Sequence, residues 1–485
     1  MIKNKIKYLI TVSLGLVLLT SCHRELLDPA PQTSVSDATA FDQPYRIANQ
    51  VLSLYSSFKN GNFYGGRYIV YGDIRGEDFL LEDGNLVTNA DVWNLNPTNT
   101  ANAIVGLWNQ VYSLINNCNV FIDGMNEKGT LVVGTTIGNT YIAEARLLRA
   151  IGYYSLLQYY ARPYADGNGA KLGLPLRLIG IKGAGASDLA RSSVAEVYTQ
   201  ILADLDFAET NLPLTNGSNY NNTTRAHRNT AIAFKTRVYL SMQNYPKVIA
   251  EANKIVPAAG PFTATSGVPH VLQADYTSVF KTPYTSLESI FSVPFSSSNG
   301  DIPGTQNALQ GYYYAAATGV GSIFSLNFAG IIGNTGWTAT DKRRSFIYTN
   351  PPGTKKFLTK YPAASPADFS PVIRWAEVLL NLAEAKARTT AGVDAQALAL
   401  VNAVRQRSDA TTTLAPATNG DLIDAIMTER RIEFLGEGLR NNDLMRLLQT
   451  IPSKSTAGAK APGDDGYTWP ASSTEKSLNK LWVDN

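Results

Sequence analysis

Apolar residues recur at three- and four-residue spacing through the first half of the chain and again near its C-terminal end. That is the period of helices lying on a core. The pattern predicts amphipathic helices over 40–58, 103–123, 139–160, 193–211, 225–242 and 246–256, and again over 374–388, 394–407 and 421–448. Two loops punctuate the series: Arg162-Pro163 running into Asp166-Gly167-Asn168-Gly169, and the Asn-rich stretch 216–224.

Alanines accompany aromatics on several of these helices. Ala143, Ala145 and Ala150 lie beside Tyr153, Tyr154 and Tyr159, and Ala231 and Ala233 beside Phe234 and Tyr239. Small residues let helices approach and large ones fill the neighbouring groove, as in stacked paired-helix repeats of the tetratricopeptide kind. The run from Val238 to Pro246 resembles the turn inside such a pair, although no clean period of about 34 residues emerges.

Between 258 and 340 the pattern changes. The charged residues there are Asp275, Lys281, Glu288 and Asp301, while Phe, Tyr and Trp recur without helical period. This predicts an irregular, loop-rich zone packed on the helices, the kind of insertion where ligand contacts concentrate. The expected fold is mainly α: a tetratricopeptide-like paired-helix scaffold (41–257 and 371–449) with a loop-rich ligand zone (258–370), all one domain over 41–485. Three consecutive tyrosines, Tyr312, Tyr313 and Tyr314, are expected to leave at least one ring facing solvent.

The C-terminal helices carry charges among their apolar positions. From Pro371, placed as a helix start, Arg374, Glu377, Asn381, Glu384 and Arg388 form a stripe beside Trp375, Leu379, Leu382 and Ala383. An arginine pair, Arg405 and Arg407, follows. Then come Glu429-Arg430-Arg431, Glu433, Glu437, Gly438 and Arg440, and finally Asp443-Leu444-Met445-Arg446. Glu429, Glu433 and Glu437 project from one helix face, whereas glycosidase carboxylates must flank the scissile bond. They are expected to form packing ion pairs with Arg430, Arg431 and Arg440.

Taken in order, these segments resemble the C-terminal signature of the SusD/RagB family of outer-membrane nutrient-uptake lipoproteins. Asn441 stands where that family usually carries an aromatic, and its closing pattern survives loosely as Trp469-Pro470 and Asp484-Asn485. The resemblance implies a non-catalytic surface protein that captures an oligosaccharide and passes it to a TonB-dependent (SusC-like) transporter barrel. Peptide binding within the same family, a surface glycoside hydrolase and an assembly scaffold are the alternatives.

The N-terminus bears on location independently. Lys3, Lys5 and Lys7 precede an apolar core from Leu9 to Leu19, too short to span a bilayer, and Leu19-Thr20-Ser21-Cys22 resembles a lipobox. A leader over 1–21, acylation of Cys22 and a tether over 22–40 are expected, with two or more acyl chains anchoring the chain to a membrane. The family resemblance makes that membrane the outer one, with the domain exposed at the cell surface. Removing the leader lowers the basic count from 42 to 39, equal to the 39 acids, so no general field for nucleic acid remains. With Cys22 acylated, Cys118 has no disulfide partner and is expected to be an inert core thiol. The three histidines are scattered and no His-Glu-x-x-His, Cys-x-x-Cys or Gly-x-Ser-x-Gly motif occurs, so no metal, cofactor or catalytic residue is predicted.

Sugars suit flat aromatic faces flanked by Asn, Asp and Arg. Two stretches combine these residues: Tyr71 to Asn96, offering Asp73, Arg75, Trp93 and Asn96, and the Tyr312–Tyr314 run with Trp337. Ligand contacts are therefore expected from Asp73, Arg75, Trp93, Asn96, Tyr313 and Trp337. The family resemblance carries over to Trp93 and Asn96, and less directly to Trp337, which precedes the structural-looking Asp341-Lys342-Arg343.

Overall fold

The helix-period segments fold as helices, with ends set by local capping. The computed structural model describes residues 39–484 apart from 184, 186–187, 305, 315–321 and 364–366, so Cys22, the leader and all but the last residues of the tether lie outside it. The scaffold begins with α1 (Pro44–Phe58), α2 (Arg67–Ile74), a short strand β1 (Phe79–Leu81) and α3 (Ala90–Trp93). It continues with α4 (Asn102–Gly124), α5 (Thr130–Val133), α6 (Thr135–Tyr160), α7 (Val194–Asn211), α8 (Asn219–Thr224), α9 (Arg228–Ser241) and α10 (Tyr245–Ala252). Proline sits in the first turn of α1, and a Ser193–Glu196 capping box starts α7.

Along α4 the residues Leu107, Val111, Leu114, Cys118 and Ile122 form one buried stripe. Gly152 on α6 faces it so closely that a β-carbon there would lie 3.2 Å from Val111 and 3.3 Å from Ile115. This is the close approach that small residues permit. α6 packs on α4 and α7, and α9 packs on α7 and α10, continuing the paired-helix stack. Cys118 is fully enclosed in that packing, and burial pushes its thiol up to about 12.

The irregular zone holds β2 (Ser289–Val293), α11 (Leu309–Tyr313), β3 (Phe324–Leu326), β4 (Ile347–Thr349) and β5 (Lys356–Leu358). β6 (Ser370–Arg374) returns the chain to α12 (Trp375–Thr389), α13 (Ala395–Ser408), α14 (Asn419–Glu433), α15 (Arg440–Arg446) and α16 (Ser473–Leu478). Among the described residues, three antiparallel ladders pair β1 with β3, β2 with β6 and β4 with β5. Phe262, Tyr276, Phe280, Phe291, Phe324 and Phe346 of this zone join the hydrophobic cluster that also contains the scaffold helices. The zone thus forms a cap on the scaffold.

Two of the predicted C-terminal elements are rearranged. Pro371 opens no helix: Val372 and Ile373 lie in β6, paired with β2, and α12 starts at Trp375. β-branched residues suit that ladder, and Pro371 takes a position beside a register irregularity. The predicted helix 421–448 breaks into α14 and α15 because Gly436 and Gly438 adopt left-handed backbone, with φ of 83° and 78°. Gly438 also lies against Gly72 of α2, where a β-carbon would come within 1.9 Å of its carbonyl oxygen.

Glu429, Glu433 and Glu437 are buried and ion-paired, but not with their helix neighbours. Glu433 accepts from Arg407 (2.6 Å), Arg343 (2.9 Å) and Arg374 (3.0 Å). Glu429 binds Arg343 (2.5 Å) and Arg405 (2.7 Å), and Glu437 binds Arg374 (2.7 Å) and Lys360 (2.9 Å). Arg430 instead bonds Asp443, while Arg431 and Arg440 reach Glu77. Their partners come from segments distant in sequence, which spacing along one helix cannot reveal.

His227, at the start of α9, and His270, in the cap, stack with ring centroids 5.2 Å apart, and Trp375 stacks on His270 at 6.1 Å. Burial lowers both, His227 to about 3, with His270 adding to its shift, and His270 to about 4. Groups held below their unfolded value stabilise the fold above that value and lose the contribution as pH falls. The histidine contribution, read in equilibrium urea unfolding as wild type minus H227Q/H270Q, should therefore be constant above about pH 6.5 and fall below it. The double variant H227Q/H270Q should flatten the limb between about pH 6.5 and 5. The same slope in both proteins would contradict the assignment.

Candidate functional site

The structure places five of the six expected ligand residues in the interior. Asp73, on α2, is 2% exposed and accepts a hydrogen bond from the Tyr313 hydroxyl at 2.5 Å, so these two do meet, but out of reach of a ligand. Arg75 is 1% exposed, donating through Nε to Asn441 Oδ1 (2.8 Å) and through Nη2 to the Tyr467 carbonyl (2.6 Å). The Trp93 indole N–H donates to the Phe79 carbonyl (2.8 Å), with the Lys454 ammonium 5.4 Å from its ring. Trp337 lies under the Arg344 guanidinium at 4.7 Å, and its ring is also buried.

The physical reason is shared. The sequence pattern predicts no helix over 67–74, where the structure has α2, buried on all sides because Gly72 admits Gly438 and because Arg75 has a partner 366 residues away. Asn441, the departure from the family's usual aromatic, is that partner. Burial pushes the Asp73 carboxyl up to about 8, although the Tyr313 hydroxyl opposes the shift.

Asn96 alone of the six opens to solvent. It lines a cleft of about 590 Å³ between the 96–99 turn and the C-terminal segment, with Asp465, Trp469 and Trp482 among the other walls.

The cap's part-exposed rings lie elsewhere. Tyr312 and Tyr313 are sealed, the first donating to the Gln306 carbonyl (2.7 Å) and accepting from Asn89 (3.1 Å). At Tyr314 the backbone leaves α11 and becomes extended, and this third ring turns outward, as the run of three tyrosines predicted. In the β4–β5 ladder Tyr348 pairs with Phe357, and Ile347 with Leu358. Side chains alternate along a strand, so Tyr348 and Phe357 share the face opposite the buried Leu358. Tyr314 completes a ridge: its ring centroid lies 4.8 Å from Tyr348 at 37° and 6.2 Å from Phe357 at 32°.

Phe328, 48% exposed, sits nearby with the Lys356 ammonium 5.3 Å from its ring. Lys355 is neutralised by Glu82 at the end of β1. Periodicity could not have singled out Tyr348, Phe357 or Phe328, because two three-residue strands show no alternation long enough to read. What the ridge offers is ring faces at roughly common tilt, with Lys355 paired to Glu82 and Lys356 against the Phe328 ring beside them. Such an arrangement is suited to stacking against a flat apolar face.

Because Asp73 is held above its unfolded value, its contribution is complete below about pH 4 and is lost as pH rises through about 8. D73N should therefore fold, and should become more stable relative to wild type as pH rises from 5 to 9, as read by thermal unfolding. A variant whose deficit grows with pH would contradict the buried, proton-holding Asp73.

The chain is similar to known proteins over nearly its full length. Residues 332–480 match the model of the SusD family, and residues 25–240 match one described as starch-binding associating with outer membrane. A crystal structure of a SusD superfamily protein from Bacteroides fragilis is 32% identical, covering 91% of this chain and 99% of that one, with a TM-score of 0.81. The SusD-like protein P38 of Formosa agariphila is 23% identical, with 92% of each chain covered. The surface glycan-binding protein A of Bacteroides thetaiotaomicron, solved in complex with laminarihexaose, shares the fold at a TM-score of 0.73 and 19% identity, over 91% of this chain and 99% of that one.

Proposed function

The chain belongs to the SusD family, and from that premise we propose that it is a non-catalytic carbohydrate-binding lipoprotein of the outer membrane, facing outward. It captures an oligosaccharide on the ridge of Tyr314, Tyr348 and Phe357 and passes it to a TonB-dependent transporter barrel. The ridge is the observation that carries this reading. The laminarihexaose complex of a protein with the same fold supports the ligand class, and the lipobox ending in Cys22 supports the anchor.

In this reading the sugar's C–H faces lie on the rings while its hydroxyls stay hydrated or meet the polar rim. Each ring face brings apolar area out of water without needing a charge. The signature carboxylates on which the hydrolase alternative rests are enclosed by arginines, Glu429 and Glu433 at 0% exposure. Acyl chains on Cys22 would hold the domain over a barrel, trapping ligand between the two surfaces.

Calorimetry against laminarihexaose, maltohexaose, cellohexaose and xylohexaose tests the reading. Binding of at least one is expected, weakened about tenfold in Y348A, equivalent to about 1.4 kcal/mol, with the circular dichroism of the variant unchanged. Binding to none of the four, or undiminished binding in a Y348A/F357A double variant, would contradict it.

A further inference from the structure

The helical hairpin made by α4, α5 and α6 ends in a tip whose side chains face away from the core. From Gly129 to Ala143 the sequence holds no Asp, Glu, Lys or Arg. The turn of the hairpin falls inside that stretch: α5 ends at Val133, Gly134 takes left-handed backbone at φ 84°, and α6 starts at Thr135. Leu131 is 87% exposed, the highest value among the described large apolar side chains, and Ile137, in the first turn of α6, is 49% exposed. Val132 and Val133 are only partly covered. Solvent-facing helical positions are ordinarily polar, so a charge-free tip of aliphatic side chains marks a contact surface.

The packing behind the turn keeps those side chains outside. Gly138 lies so close to Thr130 that a β-carbon would come within 2.9 Å of its side chain, which joins the two helices just behind Gly134. Further along α6, Thr140 donates to the Asn211 carbonyl at the end of α7 (3.1 Å). Leu131 and Ile137 are left on the outer side of these contacts.

What lies beside the tip identifies its partner. The Phe41 ring packs on Phe121 at 5.9 Å, where a β-carbon at Gly124 would lie 2.1 Å from it and one at Gly129 3.0 Å. Asp42 pairs with Lys128. α1 then runs back along α4, with Gln110 donating to the Ser57 carbonyl (2.9 Å), so the first described residues and the tip share one end of the scaffold. Tyr45, 61% exposed in the first turn of α1, stands at that end too. Cys22 precedes Thr39 by 17 positions. A chain of that length spans about 60 Å at full extension and about 20–25 Å as a random coil. An anchor at Cys22 thus keeps a lipid surface near the end of the molecule that carries the tip. A protein partner fits less well, since protein interfaces centre on aromatic and arginine side chains in fitted pockets, and residues 130–138 supply only Leu, Val, Ile, Thr and Gly.

We propose that the 130–138 tip is a membrane-contact element, which dips Leu131 and Ile137 into the bilayer beside the barrel and fixes the tilt of the domain. Insertion is shallow, about 5–10 Å. That depth leaves the Thr135 and Thr136 hydroxyls, and the first N–H groups of α6 that no side chain caps, in the hydrated headgroup layer. The inference rests on the lipid anchor of the reading above, not on its carbohydrate ligand or on the ridge.

The acylated full chain tests it. Of its two cysteines Cys22 is then a thioether and Cys118 is sealed, so L131C supplies the reactive thiol for an environment-sensitive nitrobenzoxadiazole label. L478C, at a residue 68% exposed on α16, is the comparison: Asn109 of α4 donates to Thr474 of α16 (3.5 Å), about 30 Å of helix away from the tip. Both proteins are placed on phosphatidylcholine vesicles with brominated acyl chains. The label at 131 should shift to the blue and lose most of its emission to bromine, and the label at 478 should do neither. L131C/I137D should float with the vesicles and lose most of that quenching. Floating protein with residue 131 unquenched, or with 131 and 478 quenched alike, would overturn the tip contact and leave the anchor standing. A blue shift at 131 without bromine quenching would assign the tip to a protein contact and overturn the proposal too. A full chain that does not float would overturn the anchor and the tip contact with it.

Discussion

Glu433 lies at zero exposure with three guanidinium groups around it, and the architecture is organised about that meeting. Five carboxylates (Glu288, Asp341, Glu429, Glu433, Glu437) face five cations (Arg343, Lys360, Arg374, Arg405, Arg407), so the interior charges balance. Burying such groups is costly, and their attraction repays the cost only when geometry is good and the remaining donors are bonded. Here most of that need is met: Arg343 holds Asp341, Glu429 and Glu433 together, and Arg374 joins Glu288, Glu433 and Glu437, while Nε of Arg405 and of Arg407 has no acceptor among the described residues. Burial alone would raise the Glu433 and Glu437 carboxyls, but the cations around them hold both below the ordinary carboxylate range.

The cluster also decides where the cap sits. Glu288, Asp341, Arg343 and Lys360 come from the irregular zone, and the others from β6 and the C-terminal helices. Tyr276, whose hydroxyl donates to the Glu433 carbonyl (2.9 Å), adds an aromatic wall beneath Arg407. A few short ladders and many loops would be weakly held by backbone pairing alone. Fixed on one side by this lattice and by the shared hydrophobic cluster, the cap can present Tyr314, Tyr348 and Phe357 on its other side without spending them on packing. A second lattice, with Arg446 bridging Glu384 (2.6 Å) and Asp443 (2.8 Å), ties α12 to α15.

Much of the scaffold was legible because its information is local. Alanines among aromatics gave the stacked helices, and boundaries moved by only a few residues at capped ends such as Ser193. The family signature was legible for a similar reason: its charges recur at fixed spacing. Their partners were not, since Glu429 meets Arg343 and Arg405 rather than Arg430, through contacts 86 and 24 residues away in sequence. The candidate site failed on the same ground. Asp73, Arg75 and Trp93 look like surface residues in a polar, glycine-bearing stretch, and only remote groups (Tyr313, Asn441, the Phe79 carbonyl) make their burial affordable. Tyr314 was within reach of sequence reasoning because three consecutive rings cannot all turn inward, whereas Tyr348 and Phe357 become neighbours only through a hairpin of three-residue strands.

The account rests on the buried charge lattice joining cap to scaffold, and hydrogen exchange of wild type against E433Q measures that directly. Removing this carboxylate's charge leaves three guanidinium groups short of compensation, at a cost of about 3–5 kcal/mol. Amides of β3 and β5 in the cap and of α14 in the scaffold should lose protection together by that amount. Unchanged exchange in β3 and β5, with any loss confined to α14, would contradict the claim that the lattice holds the two parts together.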